Sequence, residues 1–367
     1  MGQRGAVEML VKRNNWQGRR VLVTGHTGFK GGWLALWLHQ LGAEVSGFAL
    51  PASTEPNLFG QARLAELVTH VEGDIRDAVA FERAIADARP ELIFHLAAQP
   101  LVRQSYADPV ETYATNVMGT VHLLDACRRV DSVRAIVCVT SDKCYENREW
   151  VYPYRETDPM GGHDPYSSSK GAAELAIASF RRSYFADGPL VASVRAGNVI
   201  GGGDWADDRL VPDVVRALLA GERPQIRNPQ AIRPWQHVLD ALSGYLLVGQ
   251  RLLDGQDSAA DAWNFGPADV DTRPVAWVTD ELIRRWDAEG WDSPDLAQPH
   301  EANILKLDCS KARILLDWAP RLTLERALRL VADWHKAVAD GDDARALSIR
   351  QIQEFETLQA VGQTAWA

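Results

Sequence analysis

Cysteine is scarce in this sequence: Cys127, Cys138, Cys144 and Cys309 are the four in 367 residues. None forms a C-x-x-C pair and no group has zinc-ligand spacing, which excludes a zinc ribbon or a dithiol redox motif. No metal site is expected. Cys138 lies in the apolar run Ala135–Val139, where a buried thiol is the simple reading. Runs of positive charge are also missing. The formal net charge is -10, so nucleic acid and anionic membrane are poor partners. A phosphate-bearing ligand must instead be caught by a few local Arg or Lys residues. Long apolar runs are lacking at the start of the chain. Met9-Leu10-Val11, among Arg4, Glu8, Lys12 and Arg13, is too short for a signal-peptide core or a membrane span. A reducing cytoplasm is the expected home. Neither an internal repeat nor a low-complexity tract is present.

What is there is an apolar fraction of 46%, enough for a sizeable core. The length suits one large α/β unit plus a smaller partner. Strands are predicted at 19–25, 44–50, 67–74, 92–98 and 134–141, with helices at 31–41, 77–88 and 110–129. In the first of these helices Trp33, Leu34, Trp37, Leu38 and Leu41 share a face. Such alternation predicts an α/β fold, a Rossmann doubly wound parallel sheet covered on both faces, with a smaller C-terminal substrate-binding domain. After residue 200 the pattern loosens. Gly201-Gly202-Gly203-Asp204-Trp205 reads as a loop, prolines recur at Pro212, Pro224, Pro229 and Pro234, and helices are predicted near 276–287 and 324–339. The expected division is 16–197, with a returning segment at about 232–265, against 198–231 and 266–355. The last dozen residues are expected to be loosely ordered.

Thr24-Gly25-His26-Thr27-Gly28-Phe29-Lys30-Gly31 places G-x-x-G-x-x-G between a strand and a helix. Gly25 permits the tight turn, Gly28 lets the backbone approach a pyrophosphate, and Gly31 lets helix and strand pack closely. The helix N-terminus then offers free N–H groups to the anion. In this context the motif predicts dinucleotide binding. The acidic residue usual at the end of the second strand is replaced by Leu50-Pro51-Ala52-Ser53-Thr54, and no arginine stands there, so the residues leave NAD and NADP open. Asp74, followed by Ile75, sits at a strand end, placed either to meet the adenine amine or to cap the next helix.

Tyr166-Ser167-Ser168-Ser169-Lys170 is Tyr-x-x-x-Lys, whose spacing puts both side chains on one helical face. A nearby ammonium lowers a phenol's pKa, so Tyr166 is expected to exchange a proton with a substrate hydroxyl near neutral pH. Ser141, at the end of the preceding strand, is expected to hydrogen-bond the same hydroxyl.

With these motifs in this order, the span from about residue 16 to residue 355 resembles the extended short-chain dehydrogenase/reductase family. Gly25-His26-Thr27-Gly28-Phe29-Lys30-Gly31, Ser141-Asp142-Lys143-Cys144-Tyr145, Asp164-Pro165-Tyr166-Ser167-x-Ser169-Lys170, Gly201-Gly202-Gly203-Asp204-Trp205 and Arg233-Pro234-Trp235-Gln236-His237-Val238 resemble its nucleotide-sugar 4,6-dehydratases, those acting on CDP-glucose in particular. The resemblance implies a tightly held NAD that touches Gly25, Thr27, Gly28, Phe29, Lys30, Gly31, Asp74, Ile75, Leu96, Ala97, Ala98, Tyr166 and Lys170. It also implies a nucleotide-sugar substrate held by Gln99, Asn198, Arg209 and Arg233, the arginines gripping its pyrophosphate. Asn116 is implied to fix Lys170 through water, and His237 to be structural. A homodimer is implied through helices 109–129 and 166–185, with Val117, Val121 and Leu124 near the two-fold axis.

The implied chemistry is internal. Tyr166 takes the proton of the sugar 4-hydroxyl as hydride leaves C4, the ketone acidifies C5, and the 6-hydroxyl departs. Hydride then returns to C6, and a proton to C5. Asp142 protonates the leaving hydroxyl, which needs a carboxyl with a raised pKa. Lys143 stands where the dTDP-glucose dehydratases carry a glutamate. It is either a neutral base at C5 or a charged stabiliser of the enolate. A sugar-nucleotide 4-epimerase shares Tyr166 and Lys170 but does not need Asp142-Lys143. A redox-sensing binding protein needs none of Ser141, Tyr166 and Lys170. The cytidine base follows from the resemblance alone, so a 4,6-dehydratase of another NDP-sugar stays open. Of the 13 tryptophans, most are expected in the core or an interface, some against a base.

Overall fold

The computed structural model describes residue 11, residues 13–293 and residues 305–358. Met9, Leu10 and most of the last dozen residues lie outside the described residues. The chain opens with β1 (Arg20–Thr24), α1 (Phe29–Gln40), β2 (Glu44–Ala49), α2 (Leu58–Gln61), β3 (Thr69–Glu72), α3 (Ala78–Ala88) and β4 (Leu92–His95). It continues with α4 (Val102–Ala107), α5 (Pro109–Tyr113), α6 (Gly119–Cys127), β5 (Ala135–Val139), α7 (Pro165–Ser183) and β6 (Leu190–Ala196). Next come β7 (Asn198–Ile200), α8 (Leu210–Leu219), β8 (Ile232–His237), α9 (Val238–Leu253) and β9 (Ala262–Phe265). β10 (Thr272–Pro274), α10 (Val275–Trp286), α11 (Ser310–Leu316), α12 (Leu324–Ala339) and α13 (Ala344–Glu356) follow.

The main sheet is parallel throughout, in the order β3-β2-β1-β4-β5-β6-β9. β1, β4 and β5 are buried along almost their whole length, because helices cover both faces and leave no polar side. Strand order reverses between β1 and β4, which opens a crevice beyond their carboxyl ends. The Gly25 turn, Leu96 and Ser141 each follow the end of one of these strands, so the topology delivers them to one place. The expected doubly wound fold is therefore present.

α1 is buried continuously from Gly31 to Leu38, not on one face as its periodicity implied. The sheet covers one side, and α9 and α13 cover the rest. The helix expected at 110–129 is instead α5, a π-helical turn at Ala114–Met118, and α6. Such turns gather at functional positions. Here the turn presents Asn116, whose Nδ2 donates to Gln99 O at 3.1 Å and to Ser169 Oγ at 2.9 Å. Leu124, expected near a two-fold axis, lies fully buried in the same core cluster as Phe81 and Ile85, because α6 packs on α3. The cap of α3 is Asp77, which accepts from Val79 N and Ala80 N, so Asp74 does not serve as that cap.

A second sheet, β10-β8-β7, packs with α8, α10 and α12 around Val214, Val215, Val278, Leu282, Leu328 and Val331. Within the segment at about 232–265, β8 pairs in this small sheet, while α9 lies on β5 and β6 and β9 extends the large one. α13 packs on both α1 and α12, joining the two layers. All four cysteines are free and buried. Trp16, Trp33, Trp37, Trp263, Trp318 and Trp334 are among the largest fully buried side chains.

Candidate active site

The β1–α1 turn is shaped by what a side chain would meet. A Cβ on Gly25 would lie 2.8 Å from Ala97 N, and one on Gly31 would lie 2.1 Å from Gly25 O. Gly25 also has φ +73°. Gly28 differs: a Cβ there would meet only Gly25 O, at 3.4 Å. Its outer side is open, and it starts α1 without a side-chain cap. The first N–H groups of α1 thus have no side-chain acceptor, which fits a pyrophosphate seated over Gly28. Thr27 Oγ1 donates to Leu50 O at 2.8 Å and ties the turn to the end of β2. Phe29 packs towards Gly201. Leu96, Ala97 and Ala98 leave β4 half-buried, with Leu96 N and Ala97 N both donating to Thr24 Oγ1 at 3.1 Å. Ile75 is buried, while Asp74 is engaged by Arg76 through its backbone N–H and its guanidinium.

β5 delivers Thr140, Ser141 and a 3₁₀ turn, Asp142–Cys144, to the crevice. Ser141 Oγ accepts from Lys143 N at 3.2 Å, donates to Asp142 Oδ1 at 3.0 Å, and is hydrogen-bonded to the Tyr166 phenol. Asp142 is buried. Burial lifts its carboxyl above the ordinary range, against the pull of Lys143, Ser141 and Arg233. Gly197 makes room for it, since a Cβ there would lie 2.9 Å from Asp142 Oδ2. Half-buried Lys143 lines a cavity of about 150 Å³ together with Glu146, His163 and Asp164.

α7 begins where Asp164 accepts from Ser167 N at 2.9 Å and Pro165 takes the first helical position. Tyr166 and Lys170 then lie one turn apart, both buried. Here the structure departs from expectation. Burial pushes the Tyr166 phenol up to about 12, although Ser141 and Arg209 pull it down. Desolvation outweighs the neighbouring cation. Burial also brings Lys170 down to about 8, opposed first by Glu174.

Four cations converge on this crevice. Lys30, half-buried in the first turn of α1, is brought down to about 8 by burial and by Arg209 and Lys170, with Asp142 and Asp204 opposing. Arg209 is held by buried Asp204 at 3.2 Å. The loop carrying Asp204 admits only glycine at Gly202, where a Cβ would strike the Trp334 ring at 2.2 Å. Arg233, on β8, donates to Ile232 O at 3.1 Å and acts on Asp142 as a charge. Together with Lys143 beside Asp142, the cations Lys30, Lys170, Arg209 and Arg233 outnumber the carboxylates Asp142, Asp204 and Glu174, a balance suited to an anionic ligand. Asn198 opens β7, half-buried opposite Trp235. The Gln99 side chain is partly spoken for: its Nε2 donates to Thr112 Oγ1 at 2.9 Å, and its Oε1 accepts from Leu101 N at 2.5 Å. Asn116 reaches Ser169 and the Gln99 backbone. His237 is buried and caps α9, and burial brings it down to about 3. Among the described residues no group of three or more His, Cys, Asp or Glu is placed to hold a metal ion.

Sequence reasoning missed two buried charges. Glu174 and Arg195 pair at 2.7 Å, each 4% exposed. Breaking such a pair by removing one partner costs about 3–5 kcal/mol. Glu174 stands four residues after Lys170, a spacing that was readable. Arg195 had no such signal.

A family model described as GDP-mannose 4,6 dehydratase matches residues 22–331. A CDP-glucose 4,6-dehydratase of Salmonella typhimurium is 52% identical over 353 residues, covering 94% of this chain and 98% of that relative. The structure of UDP-glucose 4-epimerase with UDP-glucose from Thermotoga maritima aligns with a TM-score of 0.75 at 25% identity, covering 87% of this chain and 99% of the other. The dTDP-glucose 4,6-dehydratase of Bacillus anthracis in complex with NAD aligns with a TM-score of 0.75 at 22% identity, covering 88% and 98%, a likeness of fold.

Proposed function

The chain belongs to the GDP-mannose 4,6-dehydratase family of extended short-chain dehydrogenases, and from that membership we infer that it is an NAD-dependent CDP-glucose 4,6-dehydratase. The observation that carries the reading is the 52% identity to a CDP-glucose 4,6-dehydratase across 94% of the chain. The substrate is CDP-D-glucose and the product CDP-4-keto-6-deoxyglucose. NAD held over the Gly25–Gly31 turn would supply the two-electron acceptor, and later donor, for the hydride moved from C4 to C6.

The residues divide the remaining work. Gly25, Gly28 and Gly31 cradle the pyrophosphate of the cofactor, with Thr27, Phe29, Lys30, Asp74, Ile75 and residues 96–98 around it. Tyr166, bonded to Ser141, takes the proton from the sugar O4, and Lys170 supports it from one turn below. Asp142, buried and lifted in pKa, gives a proton to O6 as that hydroxyl leaves. Lys143 acts on the C5 proton. Arg209 and Arg233, with Asn198 and Gln99, hold the diphosphate and sugar. In this reading 16–197 with the return at about 232–265 carries the cofactor, and 198–231 with 266–355 carries the sugar nucleotide.

The test is turnover of CDP-, dTDP-, GDP- and UDP-glucose, followed by the ultraviolet absorbance of the ketosugar in alkali. CDP-glucose is expected to lead the panel. Hydride returns to the product, so NADH is not expected to accumulate. NADH building up in step with product sinks the reading.

A homodimer is the proposed assembly, and the surface supports it. Val110, Tyr113 and Met118 on the α5–α6 segment and Leu175 on α7 are exposed apolar groups on elements that pack together. Light scattering at micromolar concentration is expected to give a dimer, and Met118→Glu with Leu175→Glu a monomer. A wild-type monomer overturns this. The cytoplasm is the proposed compartment, in keeping with four unpaired, buried cysteines.

A further inference from the structure

Glu174 sits one turn beyond Lys170 on α7, buried, with both carboxylate oxygens doubly engaged. Oε1 accepts from Thr140 Oγ1 at 2.5 Å and Arg195 Nε at 2.9 Å. Oε2 accepts from Ser193 Oγ at 2.8 Å and Arg195 Nη2 at 2.7 Å. These partners flank the site. Thr140 immediately precedes Ser141, and Arg195 lies on β6 just before Gly197 and Asn198. Arg195 Nη1 also donates to Tyr145 Oη at 2.7 Å, and Tyr145 in turn donates to Asn264 Oδ1 at 2.7 Å. Tyr145 directly follows the Asp142–Cys144 turn. One network therefore grips both sides of Asp142 and Lys143 and binds them to the helix carrying Tyr166 and Lys170.

We propose that Glu174 is a positioning residue of the reaction: it clamps the ends of β5 and β6 to the catalytic helix and holds a negative charge one turn below Lys170. A carboxylate needed only to neutralise Arg195 has no reason to stand one helical turn from Lys170, where its charge acts on the ammonium. The groups facing Lys170 are Glu174 on its own helix, Cys144 of the 3₁₀ turn, Cys138 of β5, His95 of β4 and Lys30 of α1. Burial raises both thiols and brings His95 down to about 3, so all three are uncharged at neutral pH. Lys30 has the same sign as Lys170. Glu174 is then the carboxylate in this set, and it opposes the desolvation that strips Lys170 of its proton. The proposal rests on the roles given to Tyr166 and Lys170 above.

Glu174→Gln combined with Arg195→Met removes both charges together and leaves no buried charge alone. Two readouts follow. The first is a titration of 13Cε-labelled lysine by NMR, with Lys170→Met assigning the signal. Lys170 is expected to lose its proton at a pH lower by about one unit or more, the size of effect a close opposite charge exerts. The second is bound NADH at 340 nm in a single turnover with CDP-glucose. The alkaline limb of C4 oxidation is expected to move down by the same amount while KM stays unchanged, and Glu174→Asp is expected to restore it. If that double variant does not fold, Glu174→Gln with Arg195→Gln, which also leaves no lone buried charge, carries the same titration. An unmoved Lys170 titration overturns the proposal whatever the turnover. Wild-type protein that forms no NADH from CDP-glucose sinks the assigned reaction instead, and the NMR titration still decides the role of Glu174.

Discussion

Tyr166→Phe is expected to lower kcat by roughly 10²–10⁴-fold, the usual weight of a positioned acid–base group, and to lower every partial reaction with it. C4 oxidation comes first. Without the phenol no group takes the O4 proton, so bound NADH should not appear at 340 nm, and neither C5 exchange nor water loss should follow. KM should change little, because in the proposed site it is Arg209 and Arg233, not Tyr166, that meet the substrate's charge. The pH dependence has a definite sign. Burial pushes the phenol up to about 12, so the basic form grows as pH rises and oxidation should rise with it, until Lys170, brought down to about 8, loses its proton. In Tyr166→Phe the rising limb should vanish. Single-turnover absorbance across a pH series measures both effects. A variant that still forms NADH at near-normal rate removes Tyr166 from the base role.

The glycine turn and the Tyr166–Lys170 pairing were legible because their constraints are local. Gly25, Gly28 and Gly31 each answer a requirement of one turn, and the Tyr166–Lys170 spacing is a helical repeat. What escaped depended on partners distant in the chain. The π-turn at Ala114–Met118 carries no glycine or proline to announce it. It follows from Asn116 reaching across to Gln99 and Ser169. Leu124 belongs to an apolar helix with two candidate faces, and periodicity does not say which turns to α3. Asp74 and Asp77 are equally good caps on paper, and only the helix start chose Asp77. The phenol's surroundings escaped for a related reason: spacing places Lys170 one turn away, but it does not show the burial that raises Tyr166. Arg195 reads as one cation inside a strand until Glu174 is found beside it.

Asp142→Asn and Lys143→Met should separate oxidation from elimination. Neither change touches Tyr166 or Lys170, so both variants are expected to oxidise C4 and show bound NADH at 340 nm in one turnover. Overall kcat should nonetheless fall by roughly 10²–10⁴-fold. In Asp142→Asn the new amide keeps the volume of the carboxyl and can still meet Ser141, but it has no acidic proton to give the departing 6-hydroxyl. The pH signature is opposite to that of Tyr166. Burial raises the Asp142 carboxyl, so its acid form persists to higher pH than in an exposed aspartate and is then lost as pH rises further. Elimination in the wild type should decline along that limb, and Asp142→Asn should erase it. Solvent deuterium at C5 splits the pair. If Lys143 removes the C5 proton, Lys143→Met should stop exchange, whereas Asp142→Asn should keep some exchange while losing water elimination. If Lys143 instead stays charged and steadies the enolate, Lys143→Met should slow exchange without abolishing it, because another group takes the proton. Near-normal turnover in both variants would remove the acid–base pair that distinguishes dehydration from epimerisation, and C4 inversion of the sugar would then be the reaction to look for.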